Sequence, residues 1–260
     1  MRNSSHCRAS LLIVGLSLFA AESAFSQSRT ARTIRFDSQA LGGQATAAVL
    51  LPVDYDSTTL RYPVLYLLHG GTQNHTAFPA RPWFSRDASE RRMIVVMPSI
   101  QPPFFSGRGG NAASVEEFLA RELPAYIDSH YRTVNDRTGR AIAGISMGGY
   151  GATLLGVKRP DMFGAVGAIS AALSSGSRPG DVGAQVATLS PATAPFFYIA
   201  CGTSDPVIAA SRDLAAQLRE RQVRAELVEV PGDHSWAVWD PQVRAFFDAL
   251  AKLPGWTPRS

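Results

Sequence analysis

The chain has 260 residues, 45% hydrophobic and 18% charged, with 22 Gly and 17 Pro; that supplies a sizeable core and excludes a disordered, collagen-like or low-complexity chain. Its 25 basic and 21 acidic residues leave a formal net charge of +4. The arginines are scattered and no basic run reaches five residues, which argues against a nucleic-acid-binding protein.

Arg2 and Arg8 precede the apolar stretch LLIVGLSLFAA at 11–21, and Glu22-Ser23-Ala24-Phe25-Ser26-Gln27 follows with small residues at the expected cut. This is the layout of a secretory signal peptide over residues 1–26, cut after Ala24 or Ser26, with a secreted or periplasmic product. Eleven residues make about 16 Å of helix against the roughly 30 Å of a bilayer core, so no stable membrane insertion is expected. Cys7 would leave with the signal, and Cys201 alone permits no intramolecular disulfide. Residues 27–260 read as one domain.

Residues 33–36 and 45–51, either side of Gly42-Gly43, read as an antiparallel hairpin. Residues 63–68 form a short apolar strand running into His69-Gly70-Gly71, and 93–98 form another. Val115, Phe118, Leu119, Leu123 and Ile127 share one face of a helix over 115–130. Strand 141–145 leads into helix 147–158, stopped by Arg159-Pro160. Strands at 165–169, 196–201 and 225–230 alternate with helices at 206–222 and 237–253. Residues 172–194, rich in Ser, Gly and Pro, read as a surface loop or small cap. Strands alternating with crossover helices mean a mostly parallel central sheet with helices on both faces, an α/β architecture with the hairpin at its edge.

Gly144-Ile145-Ser146-Met147-Gly148-Gly149 fits G-x-S-x-G between a strand and a helix, the context that gives the pattern meaning. The serine sits on a sharp turn, and the residues two before and two after approach neighbouring chain too closely for side chains. A helix starting at Met147 points its N-terminus at any developing oxyanion. A serine hydroxyl needs a base, and the base an orienting acid. His234 is the only histidine downstream of Ser146. Asp205, just past a strand, is the favoured acid over Asp233 and Asp240, with capping of the next helix as its competing role. Met147 N–H and Gly71 N–H are the expected oxyanion donors, with Gly70 N–H the alternative to Gly71. His69 reads as a brace for that loop. His69 and His75 lack acidic or thiolate partners at metal-ligand spacing, so neither a metal nor another cofactor is expected.

The set Tyr55-Asp56-Ser57, Arg61 to Gly71 (RYPVLYLLHGG), GISMGG at 144–149 and Cys201-Gly202-Thr203-Ser204-Asp205 resembles the putative-esterase family of α/β-hydrolases, over about residues 33–253. Feruloyl esterases, esterase D and bacterial mycolyltransferases are its relatives. The resemblance implies the α/β-hydrolase fold, Ser146 as nucleophile, Asp205 as acid, His234 as base, and the amides of Gly71 and Met147 as oxyanion hole. Two departures matter. Residues 72–76 (TQNHT) lack the cysteine that S-formylglutathione hydrolases carry after the strand–Gly motif, and 106–111 (SGRGGN) lack the Trp-Tyr pair of mycolyltransferases.

The expected activity is hydrolysis of carboxylic esters, including feruloyl, acetyl or other carbohydrate-linked acyl groups, through an acyl-enzyme. Acyl transfer to a sugar hydroxyl is the alternative, and a non-catalytic cell-wall binding protein of the same fold a second. Among the aromatics near the expected mouth, Trp83, Phe105 and Trp236 are the candidate substrate contacts, with Phe78, Phe84, Phe104 and Trp239 close by in sequence. The shortness of the 172–194 insert favours an open cleft without a large lid. The sequence carries no sign of oligomeric state.

Overall fold

The computed structural model describes residues 30–100, 112–173 and 182–260. The signal segment, Phe104, Phe105, residues 106–111 and the middle of the 172–194 insert lie outside the described residues.

A strand that is apolar throughout must be covered on both faces. Strands β3 (Val64–Leu68), β4 (Ile94–Pro98), β5 (Arg140–Ile145), β6 (Ala165–Ile169) and β7 (Phe196–Gly202) are buried at every residue. The edges are the half-exposed β8 (Ala225–Val230) and the hairpin of β1 (Arg32–Ser38) with β2 (Gly43–Leu50). The eight strands run in the order β1-β2-β4-β3-β5-β6-β7-β8. The β1–β2 and β2–β4 pairs are antiparallel and all others parallel. This is the α/β-hydrolase architecture expected from the sequence.

Strand alternation divides the core in two. Val64, Tyr66, Leu68, Ile142, Val166, Phe197 and Ile199 face one layer. That layer is built by helices α2 (Ala112–Glu117), α3 (Leu123–His130), α4 (Met147–Lys158), α5 (Val182–Val186) and α6 (Ile208–Glu220). Leu65, Leu67, Ala141, Ile145, Ile169 and Tyr198 face the other, built by α1 (Phe84–Glu90) and α7 (Trp236–Ala251). Among the described residues, no helix is long and apolar enough to cross a membrane.

Three elements differ from expectation. Helix α1 was not foreseen, because only Phe84 and Ala88 of its seven residues are buried hydrophobics, too few to set a period. The helix foreseen over 115–130 is α2 and α3 joined by a π-helical turn, Phe118–Glu122, where Leu123 N–H reaches back to Phe118 O. Pro124 explains the widening: it cannot donate to the carbonyl four residues back, and its ring needs room there. The end of the 172–194 insert is not surface loop. Helix α5 and Leu189 bury Val182, Val186 and Leu189 in the core.

Candidate active site

The parallel register brings the strand ends level. Leu68 pairs with Gly144, Ile145 with Ile169, Ile169 with Ala200, and Gly202 with Val230. The segments that follow β3, β5, β7 and β8 therefore emerge at one edge of the sheet. Strand order reverses between β3 and β5, where connections leave to opposite faces; such a crevice is where open α/β sheets hold ligands.

Ser146 occupies the turn from β5 into α4 with φ 53° and ψ −118°, a conformation costly for a residue with a Cβ. Its surroundings impose it. Ser146 N–H donates to Ile169 O at 3.0 Å, and Ser146 O accepts from Tyr150 N–H at 3.0 Å and Ala172 N–H at 2.9 Å. A Cβ on Gly144 would stand 2.3 Å from the Gly148 carbonyl carbon, and one on Gly148 2.3 Å from Leu68 O. The two glycines of the motif are thus steric requirements of packing the turn against β3.

Asp205 follows β7, two strands from Ser146, roughly 10 Å at normal strand spacing, so it cannot touch the serine directly. His234, in the segment after β8, spans the gap. Its Nε2 lies 2.8 Å from Ser146 Oγ, and its Nδ1 lies 2.8 and 3.0 Å from the two Asp205 carboxylate oxygens. The two segments are locked together. Ser204 N–H donates to Gly232 O at 2.9 Å, and a Cβ on Gly202 would meet that same oxygen at 2.4 Å. Gly232, at φ 136°, adopts a conformation that L side chains rarely reach.

The Asp205 side chain is fully buried, whereas that of His234 is 32% exposed: the acid is shielded and the imidazole open to an incoming molecule. The Asp205 Oδ1 also accepts Val207 N–H at 3.0 Å, in the turn that leads into α6 at Ile208, because a carboxylate has lone pairs enough for both contacts. The competing acids are engaged elsewhere, Asp233 with Ser235 Oγ and Asp240 with Arg81. Cys201 is buried in β7, and burial pushes its thiol pKa up.

The segment after β3 lies against the serine. The point a Gly70 Cβ would occupy is 3.6 Å from Ser146 Cβ, and that of Gly71 is 3.2 Å from the Met147 methyl. Gly70 N–H, the alternative donor, donates to Gln73 Oε1 at 3.0 Å. Ile100 N–H donates to His69 Nε2 at 3.1 Å, so the ring proton is on Nδ1, which donates to Gly70 O at 2.7 Å. The C=O of Gly70 and the N–H of Gly71 belong to one planar trans peptide and point in opposite directions. Fixing that carbonyl therefore fixes where Gly71 N–H points. Burial lowers the His69 pKa, favouring this neutral form. Met147, first residue of α4, has no intrahelical acceptor for its own N–H.

The putative esterase family matches residues 38–252. The chain belongs to this family. It is 30% identical over 221 residues to an endo-1,4-β-xylanase/feruloyl esterase of Xylanibacter ruminicola, covering 79% of this chain but only 29% of that protein. An acetyl esterase of Caldicellulosiruptor saccharolyticus is 25% identical over 261 residues, covering 85% of this chain and 97% of that one. A solved ferulic acid esterase superposes with a TM-score of 0.75 at 25% identity, over 86% of this chain and 97% of that one. Fold and family are those of carboxylic ester hydrolases.

The remaining candidates of this esterase are spread out. Trp83 packs on Phe84 and Phe247 under the Arg244 guanidinium. Its contacts on α7 lie two and three turns beyond Trp236. Trp236 is half-buried, with Phe78 and Trp239 at its edges and Arg81 over one face. Trp239 stands perpendicular to the His234 ring, centroids 5.0 Å apart. The contacts of Gln73, Ile100 and Arg81 had no local signal, since each depends on a partner set by the fold; Trp239 was singled out only as an aromatic near the mouth.

Proposed function

We propose that the chain is an exported serine carboxylesterase acting on small acyl esters, acetyl to feruloyl, of carbohydrates. The observation that carries the reading is the continuous set of hydrogen bonds from Asp205 through His234 to Ser146 Oγ. Ser146 Oγ attacks the ester carbonyl as its proton passes to His234 Nε2, and Asp205 holds the imidazolium at Nδ1. Gly71 N–H and Met147 N–H bind the tetrahedral oxyanion, with the N-terminus of α4 behind them. Collapse expels the alcohol, which takes the proton from His234, and leaves an acyl-Ser146 ester. Water, deprotonated by the same imidazole, then releases the acid.

Carbohydrate-linked esters are supported by the relatives named for xylanase, feruloyl esterase and acetyl esterase activities. Export is supported by Arg2 and Arg8 ahead of the apolar stretch at 11–21. The test is a p-nitrophenyl ester chain-length series alongside methyl ferulate and acetylated xylo-oligosaccharides. Labelling with a fluorophosphonate accompanies it. Ser146→Ala is expected to lose about 10⁶ in kcat and all labelling; full activity in that variant would end the assignment.

A further inference from the structure

Helix α7 starts two residues after His234, and the contacts holding that end of the helix come from the segment after β3. Arg81 donates through Nε to both Asp240 carboxylate oxygens, at 3.2 and 3.1 Å, and through Nη2 to Oδ2 at 2.7 Å. Its guanidinium carbon lies 4.7 Å from the centre of the Trp236 ring. Trp236 meets Phe78 edge-on at 5.6 Å and Trp239 at 5.3 Å, and Trp239 meets His234 at 5.0 Å with the rings at 87°. A chain of direct contacts thus runs from the segment that begins with Gly70-Gly71 to the imidazole.

The hydrogen bonds at Nδ1 and Nε2 fix two points of the His234 ring and leave rotation about the line through them. A contact on the ring itself removes that freedom, and buried Trp239 supplies one. The need is greatest in the tetrahedral intermediate, once Ser146 has given up its proton and bonded to the carbonyl carbon, because the Nε2 restraint from the hydroxyl is then gone while the imidazole must still deliver a proton to the leaving oxygen. The Arg81 and Asp240 side chains are 32% and 19% exposed, and a pair that open to water adds little stability. Its consequence therefore lies in geometry.

We propose that Arg81, acting through Asp240 and Trp236, is a positioning residue that fixes the plane of the His234 imidazole relative to the Gly71 loop. It touches neither substrate nor reacting atoms, and the inference rests on the triad reading given above.

The test compares Arg81→Lys, Arg81→Gln, Asp240→Asn and the double variant Arg81→Gln/Asp240→Asn, with p-nitrophenyl acetate as substrate and melting temperature measured in parallel. Hydrolysis by the native enzyme and inactivity of Ser146→Ala test the triad itself; an active Ser146→Ala refutes that reading whatever the Arg81 variants do. With that control passed, each single variant should lose roughly ten- to a hundredfold in kcat while KM stays within about threefold. The double variant should be no worse than the poorer single one, because the pair acts as a unit. Arg81→Lys should behave like Arg81→Gln, since lysine keeps the charge but cannot make the fork. A lowered melting temperature with native kcat overturns the proposal, as do losses that multiply in the double variant or a fully active Arg81→Lys. Asp240→Asn, nearly isosteric, carries the same test should Arg81→Gln fail to fold.

Discussion

Gly148→Ala sets two effects of one methyl group against each other. Gly148 lies in the first turn of α4 with ordinary helical backbone, where alanine in place of glycine is worth about 0.5–1 kcal/mol of stability. The added Cβ, however, would stand 2.3 Å from Leu68 O and 2.5 Å from His69 O, against the roughly 3.3 Å at which carbon and oxygen normally meet. Both obstacles are backbone, so the end of β3 and the start of α4 must part by about 1 Å. Overpacking of this kind costs about 1–3 kcal/mol, which outweighs the helical gain. The atoms that must move lead directly to Gly71 N–H and Met147 N–H. A displacement of about 1 Å between these two proposed oxyanion donors is worth up to a hundredfold in rate, or about 2.7 kcal/mol of transition-state binding. Steady-state kinetics on p-nitrophenyl acetate together with thermal melting read both effects. The expected result is a lower melting temperature and a kcat reduced roughly ten- to a hundredfold. Native kcat with a raised melting temperature would refute the steric reasoning.

Gly156→Ala, on the same helix, is the contrast: its Cβ would meet Val166 Cγ2 at 2.2 Å in the core, so it should cost about 1–3 kcal/mol in denaturant melts and leave kcat at 25 °C unchanged. Asp205→Asn should lower kcat by about 10⁴ with native circular dichroism, since the asparagine oxygen can still accept Val207 N–H; a loss under tenfold would remove Asp205 as the orienting acid. His69 supplies a pH signature. Burial holds its native pKa below the 6.5 of the free side chain, so the unfolded chain takes up a proton that the native state refuses. The His69 contribution is then complete above about pH 6.5 and is lost as pH falls from there toward the lowered native value. The melting-temperature advantage of the native protein over His69→Gln should accordingly shrink between about pH 7.5 and pH 5; an advantage that grew on acidification would contradict the neutral-ring assignment.

Most of the fold was legible because its signals are local. Apolar runs of five to seven residues, stopped by Gly or Pro and alternating with helical periods, allow a parallel sheet covered on both faces and little else. Helix α1 and the π turn escaped because one has too few apolar positions to show a period and the other follows from how a chain accommodates Pro124. The burial of Val182, Val186 and Leu189 escaped because the surrounding composition of small and turn-forming residues masks three apolar side chains. At the candidate site, Ser146 and the two glycines were readable from spacing, since the steric demands of a strand–turn–helix corner fall on neighbours in sequence. His234 followed from chain order alone, there being no other downstream histidine.

What the sequence determined by itself was which residue types stand at the ends of strands, because main-chain geometry converts spacing into position over a few residues. What only the tertiary structure decided were the contacts that aim those residues. Arg81 and Asp240 lie 159 residues apart, and His69 and Ile100 lie 31 apart. The hydrogen bond from Gly70 N–H to Gln73 Oε1 is likewise set by the folded loop. Direction in space is set by which side chains the sheet register brings together, and that register depends on the packing of the whole core.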